Sequence, residues 1–424
     1  MFKVVSLYTG AGGLDLGLEA AGFRTTVAVE FDSTACRTLE RNRSRKRPWT
    51  VLGRDIHSVS SEELMRHGGV AKGEAALLVG GPPCQPFSKS AYWARGDTKR
   101  LDDPRADTLS AYLRVLQDIQ PHAFILENVF GLTYKGKDEA LSLLQNTVKR
   151  INSEQGLNYS FEWRVLNTAD YGVPQIRERF FLVGLRSGKQ FRFPSATHKN
   201  ADELAAAAIA ASNDHPALFE SHSEASLIPW TTAWDAIGDL DGIQHANLQT
   251  TGKWADLLPS IPEGGNYLHH TDRGDGLPIF GWRTRYWSFL LKLAKSKPSW
   301  TIQAQPGAGI GPFHWKNRRL SVDELKRIQT FPDDYEIVGG STEAQRQLGN
   351  AVPSLMAETL GRALLEQVFG RKPKRKARHL CPAKARYTPA PERPKPVARK
   401  YLALVGDHAP HPSLLSKKQR TKTA

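Results

Sequence analysis

Short apolar runs that alternate with helical patterns constrain the fold of this chain more than any other feature of its sequence. Buried strands are indicated at Lys3 to Tyr8, Thr25 to Phe31, Ala75 to Val79 and Ala123 to Glu127. Helical spacing is found at Leu14 to Ala21, Ser33 to Arg41 and Thr108 to Gln120. Because parallel strands need a crossover between them and helices supply it, the alternation predicts an α/β domain with a mostly parallel sheet.

The alternation stops at about Phe193, so the chain divides into regions of different character. Two apolar runs, Phe161 to Leu166 and Phe180 to Leu185, predict a hairpin that completes the sheet. Scattered Gly and Pro and seven Trp in residues 194–317 predict an irregular domain, whose Trp side chains are better interpreted as core than as stacking platforms. Four regions are therefore expected: a first domain at 1–193, the irregular domain at 194–317, a return to the first domain at 318–370 and a tail at 371–424.

Basic residues are concentrated in the tail. The formal charge of the chain is +15, yet residues 371–424 alone hold 16 Lys and Arg against two acidic residues, a net of +14. Residues 1–370 hold 42 basic and 41 acidic groups, so the body is nearly neutral. The tail, rich in Pro, Lys and Arg, has the composition of a disordered segment. Two interpretations of it are open: added affinity for a polyanion such as DNA, or an appendage without a role in function.

Cysteine content and hydropathy argue against several classes of protein. The three cysteines, Cys36, Cys84 and Cys381, lie far apart without metal-ligand spacing, so neither a disulfide framework nor a metal site is expected. No apolar run approaches the ~20 residues that span a bilayer, and the N-terminus indicates a strand rather than a signal peptide. We therefore predict a cytoplasmic protein without membrane contact.

Glycines and carboxylates follow the first strands at positions suited to a nucleoside. The turn Tyr8-Thr9-Gly10-Ala11-Gly12-Gly13-Leu14 opens a helix, where glycines allow the backbone to approach a ligand and the helix N-terminus favours negative charge. Glu30 ends the second strand, where a carboxylate can hold the two hydroxyls of a ribose. Asp55, before Ile56, could pair with an adenine amino group, although a helix cap is its more ordinary role.

Cys84 lies in the rigid run Gly80-Gly81-Pro82-Pro83-Cys84-Gln85-Pro86-Phe87-Ser88, directly after a strand. This context predicts a reactive thiol at the carboxyl edge of the sheet, where α/β folds bind ligands; a buried structural cysteine is the alternative.

Glu127 ends another apolar strand, where partial burial would raise its pKa and let it donate a proton. In Gln175-Ile176-Arg177-Glu178-Arg179, alternate side chains of one strand should project together.

In order and spacing, these motifs resemble the DNA (cytosine-5)-methyltransferase family over nearly all of residues 1–370 outside the irregular domain. The resemblance rests on the Pro-Pro-Cys-Gln run, Glu127-Asn128-Val129, the Gln175, Arg177 and Arg179 pattern, and Gln347-Leu348-Gly349-Asn350-Ala351-Val352-Pro353. It implies a Rossmann-like methyltransferase fold. It also implies that residues 194–317 are a target-recognition domain and that the C-terminal helix returns to close the catalytic domain.

S-adenosylmethionine is the cofactor that the resemblance implies, with no metal. The implied contacts are Tyr8, Gly10, Gly12, Gly13, Leu14, Glu30, Phe31, Asp55, Ile56, Pro82, Leu109, Asn350 and Ala351. Among them, Glu30 would hold the ribose, Phe31 would stack on adenine, and Asp55 with Ile56 would flank its other edge.

The resemblance also implies a covalent mechanism on cytosine. Cys84 would add to C6 of the base, Glu127 would protonate or hydrogen-bond N3 and the exocyclic amine, and Arg179 would hold O2. Gln175 and Arg177 complete the implied catalytic set. Because a stacked base exposes neither C5 nor C6, the cytosine would have to be flipped out of the duplex.

Double-stranded DNA is the implied partner. Thr301, in Ser299-Trp300-Thr301-Ile302-Gln303, resembles the family's marker for support of the DNA backbone, and Phe87 to Arg105 resembles a cover over the flipped base. DNA contacts are thus expected at Gln85, Ser88, Arg105 and Thr301. Arg283, Arg285 and Lys292 are further candidate phosphate contacts, for which a solvated surface position is the alternative. The resemblance implies a monomeric bacterial enzyme that acts beside a separate restriction endonuclease.

Three other functions fit parts of the sequence. An RNA cytosine-5 methyltransferase of the same superfamily would carry nearly the same catalytic motifs, but the long irregular domain favours DNA. A catalytically silent DNA-binding relative is disfavoured because each expected catalytic residue is present. A Rossmann oxidoreductase is disfavoured because the fingerprint G-x-G-x-x-G is absent: Asp15 stands at its third glycine position.

Overall fold

The computed structural model describes residues 1–44, 47–83, 107–129, 139–206, 227–243, 246–281, 284–373 and 387–406. The expected nucleophile Cys84 lies outside these residues. So do the expected DNA contacts Gln85, Ser88 and Arg105, the segment expected to cover the base, and Arg283.

Among the described residues, seven strands form the central sheet. They are β1 (Phe2–Leu7), β2 (Phe23–Val29), β3 (Thr50–Leu52), β4 (Leu77–Gly80), β5 (Ala123–Val129), β6 (Ser160–Asn167) and β8 (Glu178–Leu185). Their order is β3-β2-β1-β4-β5-β8-β6. Strands β1 to β5 are parallel to one another, whereas β8 is antiparallel to both β5 and β6. The predicted α/β fold and the β6–β8 hairpin are confirmed.

Helices cover both faces of the sheet. The helices are α1 (Gly13–Ala21), α2 (Ser33–Arg41), α3 (Ser61–Gly68), α4 (Asp107–Ile119), α5 (Glu139–Gln155), α6 (Ala233–Ile237), α7 (Val322–Ile328), α8 (Ser341–Asn350) and α9 (Ser354–Phe369). One core cluster joins Val5 on β1 to α3, α4 and α5, and another joins Val4 to α1 and α9. Adjacent residues of β1 thus enter opposite cores, as a buried parallel sheet requires.

The C-terminal part of the chain returns to the first strand of the sheet through α9. This helix packs along α1, and Leu360 and Leu364 share a core cluster with Val4. The contact is close because Gly17 has no side chain: a Cβ there would lie 2.1 Å from the Ser354 carbonyl oxygen.

Residues 194–317 contain short elements around a separate small core. The short strands are β7 (Gln175–Ile176), β9 (His198–Lys199), β10 (Ile228–Pro229) and β11 (Ser299–Trp300), of which the last three belong to this region. Aromatic rings such as Tyr267, Phe280 and Phe289 build its core. Strand β11 pairs in parallel with β7, so this region is attached directly to the chain that leads into β8.

The prediction that all of residues 371–424 are disordered is wrong for residues 387–406, which we call the C-terminal segment. Tyr401 in this segment is 2% exposed and stacks on Trp254, with ring centroids 5.5 Å apart at an interplanar angle of 15°. Composition alone predicted disorder wrongly here, because a polar segment can be ordered when a few of its apolar side chains pack into a core formed by other residues.

None of the described helices has the length and apolar content that a membrane-spanning helix needs.

Candidate active site

A cleft of about 640 Å³ opens at the carboxyl ends of β1, β2, β4 and β5. Its volume is in the range of small-molecule sites, and its place is where α/β sheets bind ligands. Of the expected site residues, the following line it: Tyr8, Gly10, Gly13, Leu14, Glu30, Phe31, Asp55, Ile56, Pro82, Glu127, Arg177, Arg179, Asn350 and Ala351. Gly12, Leu109 and Gln175 are not among the lining residues.

The glycine-rich turn between β1 and α1 forms one wall of the cleft. Gly10 and Gly12 have φ values of +56° and +82°, which side-chain-bearing residues rarely adopt. Gly13 lies so close to Val352 that a Cβ would be 2.3 Å from its carbonyl oxygen. The glycines thus allow both a left-handed turn and close packing against the segment after α8.

A buried carboxyl lies behind this turn. Asp15 is fully buried and accepts hydrogen bonds from Ser6 Oγ (3.0 Å) and Thr25 Oγ1 (2.8 Å). Burial raises its pKa to about 6, despite these hydrogen bonds. The sequence reasoning did not assign this residue to the site, although an Asp inside an apolar helical pattern is a signal that could have found it.

Glu30 presents its carboxylate at the end of β2. Its two oxygens accept hydrogen bonds from Gly10 N and Asp32 N, each 2.7 Å away. Burial raises the pKa of the Glu30 carboxyl. Each oxygen retains a further acceptor site, so the group can bind the paired hydroxyls of a ribose. Phe31 beside it is 77% exposed and borders the cleft, as a ring expected to stack on a planar base should.

The cleft is also lined by Asp55, Ile56 and a pair of charged residues that sequence reasoning did not identify. Asp55 accepts a hydrogen bond from His57 N, so it caps a 3₁₀ turn as well as lining the cleft. Ile56 is 3% exposed. Arg346 on α8 forms an ion pair of 2.8 Å with Asp32, joining the C-terminal part of the chain to the start of α2.

Hydrogen bonds hold the turn that leads to Cys84. Asn128 Nδ2 donates to the Pro82 carbonyl (3.0 Å), and Thr108 Oγ1 donates to the Pro83 carbonyl (3.2 Å). The Tyr8 hydroxyl in turn donates to the Thr108 carbonyl (2.7 Å). Proline offers no amide hydrogen, so the turn is held through its carbonyls. The last described residues before Cys84 are therefore anchored at the edge of the cleft.

Glu127 and Arg179 face each other across β5 and β8. Arg179 Nε lies 3.2 Å from Glu127 Oε1, and both side chains are largely buried. Burial raises the pKa of Glu127, while the cations Arg179 and Arg177 lower it. Gly81 leaves room for the carboxylate, because a Cβ at that residue would lie 2.9 Å from Glu127 Oε2. The predicted acid thus lies directly against Gly81, in the segment that leads to Cys84.

The expectation that Gln175, Arg177 and Arg179 project together from one strand is wrong. β7 ends at Ile176 and β8 begins at Glu178, so the strand is interrupted at Arg177. Gln175 is fully buried and donates to Gln329 Oε1 (2.9 Å).

Arg177 lies in the wall of the cleft rather than free within it. Its Nη2 donates to the carbonyls of Gly349 (2.8 Å) and Ala351 (3.1 Å), and its Nη1 donates to Ile302 (3.3 Å). Desolvation lowers the pKa of this buried guanidinium. Arg177 thereby joins three segments distant in sequence, and its Nε has no hydrogen-bond partner among the residues that the structure describes.

The irregular region meets this edge at Thr301. The Thr301 hydroxyl donates to the carbonyl of Ile176 (2.8 Å), the residue before Arg177. The expected DNA contact Thr301 is therefore held next to the segment that contains Arg177.

Lys292, expected on the surface, is 3% exposed and donates to the Ile261 carbonyl; burial lowers its pKa to about 8. A phosphate contact at Lys292 is therefore wrong, because the ammonium group is enclosed within the small core.

The interpretation of the Trp side chains as core holds for Trp315, which is fully buried, but is wrong for two others. Trp287 is 53% exposed and Trp300 is 37% exposed.

Within the described ranges, no group of three or more His, Cys, Asp or Glu side chains is placed to hold a metal ion.

Comparisons with known proteins identify the family of this chain. Residues 2–366 match the family model of the C-5 cytosine-specific DNA methylases. The Type II methyltransferase M.SacI of Streptomyces achromogenes is 41% identical over 387 residues, which cover 86% of this chain and 93% of that protein. The Type II methyltransferase M.NgoFVII of Neisseria gonorrhoeae is 30% identical over 370 residues, covering 86% of each chain.

Solved structures share the fold at lower identity. Methyltransferase EhMeth of Entamoeba histolytica matches with a TM-score of 0.55 at 14% identity, over 87% of this chain and 99% of that chain. A DNMT2 mutant of Spodoptera frugiperda matches with a TM-score of 0.54 at 15% identity, over 86% of this chain and 100% of that chain. With the family match across most of its length, the chain belongs to the C-5 cytosine-specific DNA methylases and is a DNA (cytosine-5-)-methyltransferase.

Proposed function

We propose that this enzyme transfers a methyl group from S-adenosylmethionine to C5 of a flipped cytosine in a specific double-stranded DNA sequence, through a covalent bond between Cys84 and C6. The Glu127–Arg179 pair carries the proposal. It lies in the same cleft as Glu30, and it faces the anchored turn that leads to Cys84.

The cleft residues fit S-adenosylmethionine, which would supply the methyl group. Glu30 would accept hydrogen bonds from the ribose hydroxyls, for which it has free acceptor capacity. Phe31 would cover the adenine ring, and Ile56 would pack against it. Asn350 and Ala351 would border the same ligand from the C-terminal part of the chain.

On the cytosine, each protein group has a distinct task. The Cys84 thiolate forms a bond to C6, and Glu127, whose pKa is raised by burial, donates a proton to N3. Arg179 holds O2 and the Glu127 carboxyl together. The electron pair gained at C5 would form the bond to the methyl carbon as the bond from that carbon to the sulfonium sulfur breaks, with S-adenosylhomocysteine as the leaving group. A base would then remove the C5 proton, the thiolate would leave C6 and the N3 proton would return to Glu127, which restores the aromatic ring.

The similar Type II methyltransferases support a place in a restriction-modification system. We propose that a separate endonuclease cuts the same sequence, that residues 194–317 read this sequence, and that the enzyme acts as a monomer in a bacterial cytoplasm. Thr301, which is hydrogen-bonded to the Ile176 carbonyl, would support the DNA backbone beside the flipped base.

The test combines methyl transfer with trapping of the covalent bond. Purified enzyme should transfer labelled methyl groups to C5 of cytosine in unmethylated plasmid DNA. A duplex with 5-fluorocytosine at the target position should stay covalently bound to the enzyme in denaturant. The bond between Cys84 and C6 would persist there, because fluorine at C5 cannot be removed by a base as a proton is. Cys84→Ser should abolish both results while S-adenosylmethionine still binds.

Cys381→Ser is the matched control, because Cys381 lies outside the family match. It should behave as the natural protein does in both assays. Labelling of transfer RNA without labelling of DNA would overturn the DNA substrate, and full activity of Cys84→Ser would overturn the assigned nucleophile.

A further inference from the structure

Three aromatic side chains of the irregular region lie exposed in one place. Tyr286 is 77% exposed, Trp287 is 53% exposed and Trp300 is 37% exposed. The rings of Trp287 and Trp300 contact each other, with centroids 5.7 Å apart at 69°. Large aromatic side chains grouped on a surface in this way typically mark a site that contacts a ligand or partner. We call these three residues the aromatic platform.

The backbone beneath the platform is held by side-chain hydrogen bonds. Asn266 Nδ2 donates to the Trp287 carbonyl (2.8 Å), and the Tyr267 hydroxyl donates to the Arg285 carbonyl (3.0 Å). On the other side, Gln303 Nε2 donates to Ser288 Oγ (3.0 Å). The exposed rings are therefore presented from an ordered support, which reduces the entropy lost when they bind a ligand.

The platform lies where the irregular region joins the catalytic edge. Trp300 belongs to β11, which pairs with Gln175 and Ile176. The next residue, Thr301, donates a hydrogen bond from its hydroxyl to the Ile176 carbonyl. Arg177, which follows Ile176, lines the cleft. The platform is therefore connected through Thr301 and Ile176 to the cleft that contains Glu127.

We infer that the aromatic platform binds the DNA substrate by packing Trp287 and Trp300 against base or sugar faces next to the flipped cytosine. Indole rings stack on any base because every base offers a π-face. Exposed Arg285, beside the platform, supplies a cation for the neighbouring phosphate. The inference rests on the proposed function only in taking duplex DNA as the ligand.

Direct DNA binding tests the inference without requiring methyl transfer. The probe is fluorescein-labelled duplex cut from unmethylated plasmid DNA, titrated with Trp287→Ala, Trp300→Ala and the corresponding Phe variants. Each Ala variant should weaken binding by about tenfold, the loss expected for one stacked ring. The Phe variants should restore most of the affinity. Binding of S-adenosylmethionine should stay unchanged, which shows that the fold is intact.

Trp163→Ala is the matched control. Trp163 is 40% exposed, but it lies on β6 at the edge of the sheet and packs on Phe180. This variant should bind DNA as the natural protein does. Salt dependence separates stacking from charge: Arg285→Ala should reduce the slope of log affinity against log salt by about one, whereas the Trp variants should leave it unchanged.

Two results would overturn the inference. One is that both Trp-to-Ala variants bind DNA as tightly as Trp163→Ala. The other is that the natural protein sediments as a dimer which these variants dissociate, since the platform would then be covered by a second copy of the chain. Failure of the proposed function would give a different result. The natural protein would then transfer no methyl group to DNA, while the Trp variants would still bind DNA more weakly than it does.

Discussion

At the residue scale, the proposed chemistry depends on two opposing effects on the pKa of Glu127. Burial raises the pKa of its carboxyl, and the guanidinium groups of Arg179 and Arg177 lower it. Of the two, Arg179 is the closer contact, at 3.2 Å, and it belongs to the neighbouring strand β8. Because the protonated carboxyl is the proposed active form, activity should fall as the pH rises through this pKa.

We predict that Arg179→Gln moves the alkaline limb of the pH profile of kcat to higher pH. Without the nearest cation, burial dominates, so Glu127 keeps its proton to a higher pH. The maximal kcat should fall by roughly 10²-fold, because the donor to the cytosine O2 is lost. Single-turnover methyl transfer across neutral and alkaline pH measures both effects.

Arg164→Gln provides the control for that experiment. Arg164 lies exposed on β6, one strand further from β5, and its guanidinium packs over the Phe193 ring. Its profile should match that of the natural protein. An alkaline limb that stays in place or moves to lower pH in Arg179→Gln would contradict the proposed role of Glu127.

At the element scale, α1 and α9 cross at a close contact, and both helices begin beside the cleft. α1 begins at the glycine-rich turn, and α9 begins directly after the run that contains Asn350 and Ala351. At Gly17 a Cβ would lie 2.1 Å from the Ser354 carbonyl oxygen and 2.5 Å from Ala357 Cβ. The two helices cannot accept a side chain there without moving apart.

We predict that Gly17→Ala destabilises the enzyme and weakens its binding of S-adenosylmethionine. Overpacking at a close contact typically costs about 1–3 kcal/mol, and here the clashing atoms include backbone, which yields less readily than side chains. Urea unfolding measures the first effect and calorimetric titration the second.

Gly242→Ala is the reference substitution, since no heavy atom of the described residues lies within 4 Å of the added Cβ. It should change the free energy of unfolding by less than about 0.5 kcal/mol. Equal stability of the two variants would show that the α1–α9 crossing tolerates separation.

At the scale of the whole molecule, the C-terminal segment completes the irregular region although it lies beyond the family match. Tyr401 stacks on Trp254 and donates to the Lys253 carbonyl (2.7 Å). Near its start, the Tyr387 carbonyl accepts a hydrogen bond from Trp234 Nε1 (3.0 Å), and Trp234 packs against Trp315. The segment therefore runs from one core cluster of the molecule to another.

We predict that a chain ending at residue 386 has a destabilised irregular region, whereas a chain ending at residue 406 does not. Loss of the buried Tyr401 ring alone should cost about 3 kcal/mol or more. Hydrogen exchange measured by mass spectrometry should show faster exchange at Leu257 and Leu258, with exchange in α1 unchanged. Identical exchange in both truncated chains would contradict a structural role for the segment.

The sequence by itself determined the sheet and the position of the chemistry on it. A buried strand needs only a local apolar run, so β1, β2, β4 and β5 could be located to within about two residues. Since parallel strands end at one edge, Glu30 and Glu127 had to share that edge. Motif order then sufficed to identify the family.

The tertiary structure decided which side chains are free to act. Arg177 and Arg179 are equivalent in the sequence pattern, yet Arg177 bonds to carbonyls 125 to 174 residues away while Arg179 pairs with Glu127. Likewise Lys292 is enclosed and Trp287 is exposed, the reverse of what their residue types suggest. Burial depends on contacts between segments distant along the chain, and no local pattern of residues records which of those segments meet.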